Sequence, residues 1–76
     1  RPRRDSLSGK LTPRQQDVLA MMAQGYNNVS IAEKLFLGTK SVENYTNTIY
    51  QELGLTDNGQ LHRRVQAVLS YIKDSV

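Results

Sequence analysis

Residues 27–53 read NNVSIAEKLFLGTKSVENYTNTIYQEL, and two helices can be placed in them by spacing alone. Asn27 is a good N-cap, because a short polar side chain can accept from an orphan backbone N–H of the first turn. Val29, Ile31, Ala32, Leu35 and Phe36 supply the apolar positions of a short helix that ends before Gly38. A longer helix is predicted from Gly38 or Thr39 to about Leu53, with Gly54 ending it. Only Phe36-Leu37-Gly38-Thr39 joins the two. A short helix, a tight turn and a longer helix make a helix-turn-helix arrangement.

The longer helix has two unlike sides. At ~100° per residue, Val42, Thr46, Ile49 and Leu53 cluster together, with Tyr45 at their edge. Lys40, Glu43, Asn44, Asn47 and Gln51 fall opposite. Asparagine and glutamine can bond adenine's N6 and N7 as a pair, lysine can bond guanine O6 and N7, and glutamate can accept from cytosine N4. Glutamate and lysine are better helix formers than asparagine, so Asn44 and Asn47 cost helix propensity and suggest another use. In a helix-turn-helix pair the second helix lies in the major groove of DNA. A merely solvated polar face is the plain alternative.

Toward the N-terminus, Thr12-Pro13-Arg14-Gln15 predicts a helix start. It offers a hydroxyl cap, proline at the first helical position and a glutamine three residues on from the cap. Leu11 before the cap can staple to the first turn. Val18, Leu19, Met22 and Ala23 repeat at three-four spacing, and Gly25 stops the helix as a left-handed residue. Toward the C-terminus, Thr56-Asp57-Asn58-Gly59 is a turn by composition, and a last helix runs from about Gln60 to Lys73. Leu61, Val65, Val68, Leu69 and Ile72 form its apolar face, expected to cover the three-helix core. Ala67 and Tyr71 fall on a separate flank beside Arg64, available to a partner. Nothing alternates with period two over a strand's length, so the expected fold is all-α, with four helices.

The chain has 76 residues, enough for one domain with a thin core. It has no cysteine, which excludes disulfides and Cys-based zinc sites, and its one histidine, His62, cannot make a metal site alone. No apolar run approaches the ~20 residues needed to cross a bilayer, and no signal-peptide pattern opens the chain. A cytoplasmic protein without a cofactor is expected. The net charge is +3 and the pI about 9.5. Residues 1–10 hold Arg1, Arg3, Arg4 and Lys10 against Asp5 alone, so the excess sits in a flexible basic arm or linker and residues 11–76 are balanced. The arm can enter a minor groove or serve only as a linker. Tyr26, Tyr50 and Tyr71 are open to two uses, as interface anchors or as the rim of the core.

The stretch from Leu11 to Leu55 resembles the LuxR/FixJ/NarL-type (GerE-like) helix-turn-helix domain found at the C-terminus of many bacterial response regulators and quorum-sensing regulators. The residues that carry the likeness are Leu11-Thr12-Pro13-Arg14, Val18-Leu19, Gly25, Asn28, Ile31-Ala32, Leu35, Ser41-Val42, Ile49 and Leu53-Gly54. Arg64-Val65-Gln66-Ala67-Val68 is similar to the family's closing-helix motif. The chain departs from the family pattern in several places. Gln15 stands for a usual glutamate, and Asn27-Asn28-Val29-Ser30 for a Ser- or Thr-Asn-Lys-Glu pattern, which removes a phosphate-facing lysine at Val29. Ser41-Val42-Glu43-Asn44-Tyr45 replaces Thr-Val-Lys-x-His, and the link from Thr56 to Arg63 is longer than usual.

The resemblance implies sequence-specific binding of double-stranded DNA by a transcription regulator whose upstream regulatory domain lies outside this chain. Lys40, Glu43, Asn44 and Asn47 are then expected at base edges. Asn28, Ser41 and Tyr45 are expected at phosphates, with Lys34 and the arm adding charge. The closing helix would pair two copies on a two-fold site, through Ala67 and Tyr71. A small helical module that binds another protein is the rival. An enzyme is disfavoured, because the chain lacks a Cys nucleophile, a Ser/His/acid set and a metal cluster, and is too thin to build a deep pocket.

Overall fold

The computed structural model describes residues 10–56 and 62–75. Among them are four helices and no strand: α1 Pro13–Ala23, α2 Asn28–Leu35, α3 Thr39–Glu52 and α4 Arg63–Ser75. Of the expected basic arm only Lys10 is among the described residues. The turn at Asp57-Asn58-Gly59, the helix start near Gln60 and Leu61 lie outside them.

The capping box at Thr12 forms as the residue types dictate. Thr12 Oγ1 accepts from the Gln15 backbone N–H at 3.2 Å, and Gln15 Oε1 accepts from the Thr12 N–H at 2.9 Å. Two of the orphan donors of α1 are thereby satisfied. Asn27 caps α2 in the same manner, its Oδ1 accepting from the Ser30 N–H at 2.9 Å. Gly38 precedes α3 without a side-chain cap.

Three helices end alike. After α1 the Gly25 N–H donates to the Met22 carbonyl and the Tyr26 N–H to Met21; after α3 the Gly54 N–H donates to Gln51 and the Leu55 N–H to Tyr50. Gly25 and Gly54 have φ of 97° and 69°, the left-handed geometry that glycine adopts without a Cβ penalty. At the end of α2 the same pair of bonds runs from Phe36 to Glu33 and from Leu37 to Ala32. Here the left-handed residue is Phe36, at φ 58°. Sequence spacing counts Phe36 as an apolar position of α2. The structure corrects this: its side chain is 94% exposed. The left-handed turn carries Phe36 outward and leaves Leu37 to pack against the core. Val29, also counted as apolar, is 56% exposed, because α2 buries Ile31 and Ala32 and turns Val29 away.

The core sits between α1, α3 and α4, with α2 packed against α3. Leu19, Ile31, Ile49, Val18 and Val42 are its largest fully buried side chains, each contributing about 1.5–3 kcal/mol by leaving water. Thr46 is buried too, its hydroxyl donating to the Glu43 carbonyl at 2.8 Å. Tyr50 is buried with the Arg63 guanidinium 4.8 Å from its ring centroid.

The closing helix is turned about its axis relative to expectation. Its inward side is Arg64, Ala67, Val68 and Tyr71: Ala67 is fully buried, and Val68 and Tyr71 pack against the core. Val65, Leu69 and Ile72, expected inside, are 45%, 47% and 45% exposed. Ala67 is therefore not available to a partner, and Tyr71 belongs to the rim of the core. A methyl group at the contact lets α4 lie close against its neighbours, since side-chain size sets interhelical distance. Arg64, on the same side, hydrogen-bonds back across the domain. Burial of Ala67, Val68 and Tyr71 and the bonds of Arg64 belong to the same side of α4, so that side faces inward.

Candidate nucleic-acid interface

Burial of Val42, Thr46, Ile49 and Tyr50 fixes the rotation of α3. Everything opposite then points to solvent, and Lys40, Glu43, Asn44, Asn47 and Gln51 are all exposed. Asn44 and Asn47 have no hydrogen-bond partner among the described residues, so their donors and acceptors are open. Lys40 Nζ lies 3.9 Å from Glu43 Oε1, with both side chains mostly exposed. A pair so exposed contributes little to stability and separates readily when a ligand offers better partners.

Beside this face, α3 and the start of α1 enclose an open cleft of about 260 Å³, lined by Gln15, Ser41, Asn44, Tyr45 and Thr48. The cleft brings together two residues expected at phosphates, Ser41 and Tyr45, with one expected at bases, Asn44. Ser41 is exposed and Tyr45 half-buried. Gln15 and Thr48 were not anticipated there. Thr48 could have been found, because it lies four residues after Asn44 and seven after Ser41, on the same flank of the helix. Gln15 is legible in sequence only as the capping residue.

Asn28 and Lys34 form a separate group around the loop before α2. Lys34 Nζ lies 4.8 Å from the Tyr26 ring centroid, a cation–π distance. Asn28, in the first turn of α2, accepts at Oδ1 from Arg64 Nη1 at 2.9 Å. Arg64 Nη2 donates to the Tyr26 carbonyl at 2.8 Å. Arg64 is the part of this group that sequence reasoning missed as a contact. It is 36 residues from Asn28, and no local pattern announces the pair.

Among the described residues there is no cluster of three or more His, Cys, Asp or Glu side chains that could hold a metal, and no helix long and apolar enough to cross a membrane. What the surface offers is a row of amides with one cation and one anion on a rigid helix, flanked by hydroxyls. That is hydrogen-bonding chemistry suited to a polar, planar-edged ligand.

Residues 9–70 match the family model described as bacterial regulatory proteins, luxR family. The transcriptional regulatory protein DegU of Brevibacillus brevis is 38% identical over 64 residues, 84% of this chain and 25% of that protein. The oxygen regulatory protein NreC of Staphylococcus aureus is 41% identical over 51 residues, 67% of this chain and 24% of that protein. A candidate HTH-type transcriptional regulator of Mycobacterium tuberculosis is 36% identical over 53 residues, 70% of this chain. The chain thus spans about a quarter of the first two relatives and 6% of the third. No solved structure matches it. The family is one of DNA-binding regulators rather than enzymes, and with the match covering most of the chain, this protein belongs to the luxR family of bacterial regulatory proteins and is a helix-turn-helix DNA-binding domain of transcription regulation.

Proposed function

We propose that this domain is the output end of a longer cytoplasmic regulator and reads a specific double-stranded site with α3 in the major groove. The observation that carries the reading is the exposed face of α3: amides with no partner among the described residues, on a helix whose other side is locked into the core. Lys40, Glu43, Asn44 and Asn47 probe base edges. Ser41 and Tyr45 meet phosphates from the cleft side of α3, and Asn28 and Lys34 from the α2 side. Contacts to phosphate set position, and contacts to base edges set sequence. No cofactor takes part. A protein-binding module would use the same face without strong salt dependence, whereas duplex binding weakens steeply with salt through counterion release.

The same reading has two copies on a two-fold site. Pairing falls to the outward stripe of α4, Val65, Leu69 and Ile72, in place of the buried Ala67 and the core-packed Tyr71. The stripe is small beside a stable interface, so the isolated domain is monomeric in dilute solution and pairs on DNA. Half-sites about one helical turn apart suit such a pair. Selection of bound duplexes from a random pool tests the whole reading. An inverted repeat at that spacing is expected; a pool that stays random after selection would contradict it.

A further inference from the structure

We propose that Arg64 is a positioning residue for DNA binding: its guanidinium pins the Asn28 amide so that the donor end, not the acceptor end, faces a phosphate. The inference rests on the reading that Asn28 meets the DNA backbone. Arg64 comes from the inward side of α4 and spans two acceptors on another element, Asn28 Oδ1 at 2.9 Å from Nη1 and the Tyr26 carbonyl at 2.8 Å from Nη2. One planar fork thus holds both the loop before α2 and a side chain of its first turn. A lysine keeps the charge but has no rigid fork to match two acceptors at once.

The consequence for Asn28 is chemical. A primary amide is nearly symmetric in shape but has an acceptor at one end and donors at the other. A phosphate oxygen accepts only, so an amide turned the wrong way would oppose it oxygen to oxygen. With Oδ1 bonded to a guanidinium, a flip would place the amide's own N–H groups against a cation's donors. The flip is suppressed, and Nδ2, which has no partner among the described residues, is left to donate. Both acceptors of Arg64 are neutral, so its charge is not cancelled by the contact and favours an anion nearby.

The test measures affinity of the whole chain for a fluorescent duplex of mixed sequence at low salt, with thermal melts alongside. Arg64→Lys and Asn28→Ala should each weaken binding by about 5-fold, the size expected for one hydrogen bond. The double variant should be no weaker than either, because the two residues act as one unit. Asn28→Asp preserves the acceptor for Arg64 with a charge-assisted bond, so its melt should not fall. Its affinity should nevertheless drop below that of Asn28→Ala, since a carboxylate cannot donate and repels phosphate. Wild-type binding by Arg64→Lys, or losses that multiply in the double variant, would overturn the positioning role. Wild-type binding by Asn28→Ala would instead remove Asn28 from the phosphate contacts. Should Arg64→Lys fail to fold, Asn28→Asp decides alone: affinity equal to wild type, or a melt that falls with the affinity, would sink the proposal.

Discussion

The helices α3 and α4 are nearly equal in length, 14 and 13 residues, and each buries one side against the same core. Their outward sides differ in kind. That of α3 is polar and mostly amide, and solvation costs it nothing until a ligand with matching donors and acceptors arrives. That of α4 carries Val65, Leu69 and Ile72, each nearly half exposed, and gains free energy simply by being covered. The first surface suits reading and the second association. The contrast supports the proposal that α3 recognises DNA and α4 pairs two copies.

The largest effect expected concerns the orientation of α4. Ala67→Glu would force a carboxylate into a fully buried position and should cost about 4 kcal/mol or more, near the whole stability of so small a domain. Leu69→Glu, two residues on, should change a urea melt by less than about 1 kcal/mol. Equal losses would mean that the inward and outward sides of α4 are wrongly assigned. On α3, Asn47→Ala should cost roughly 1–3 kcal/mol on the selected site and much less on random DNA. Comparable losses on both sequences would remove Asn47 from base reading.

Glu43 opposes phosphate binding by its charge. Glu43→Lys should tighten binding to random duplexes and steepen the salt slope by about one unit, with little loss of stability from the exposed Lys40 pair. Weaker binding to random DNA would show that Glu43 holds α3 in place instead. The smallest effect lies in the turn that presents α3. Phe36 holds a left-handed backbone that costs a residue with a Cβ about 1 kcal/mol or more, and its side chain has almost no packing to lose. Phe36→Gly, after the greater freedom of glycine in the unfolded chain is deducted, should stabilise the domain by about 0.5 kcal/mol. A lowered melting temperature would mean that the phenyl ring contributes to the fold after all.

The unequal legibility of the two helices follows from the same contrast. In α3 the apolar residues fall on one side only, so Val42, Thr46 and Ile49 fix the rotation and the exposed amides follow by subtraction. In α4 two sides are apolar, and the larger stripe suggests the wrong one. What decides is the small size of Ala67 and the reach of Arg64 to Tyr26 and Asn28, both tertiary facts. The helix ends show the same division. Thr12, Gly25, Asn27 and Gly54 act locally and are read correctly. Phe36 ends α2 in a conformation usually left to glycine, so residue type gives no warning. Within the candidate interface, Ser41, Asn44 and Tyr45 share a flank by helical spacing, while Gln15 reaches the cleft only because α1 packs across α3.

The division of labour between α3 and α4 is tested most directly by titrating Leu69→Glu against duplexes carrying one and two copies of the selected half-site. Wild-type affinity for the single half-site is expected together with loss of cooperative binding to the paired one. Retained cooperativity, or an equal loss on both duplexes, would contradict it.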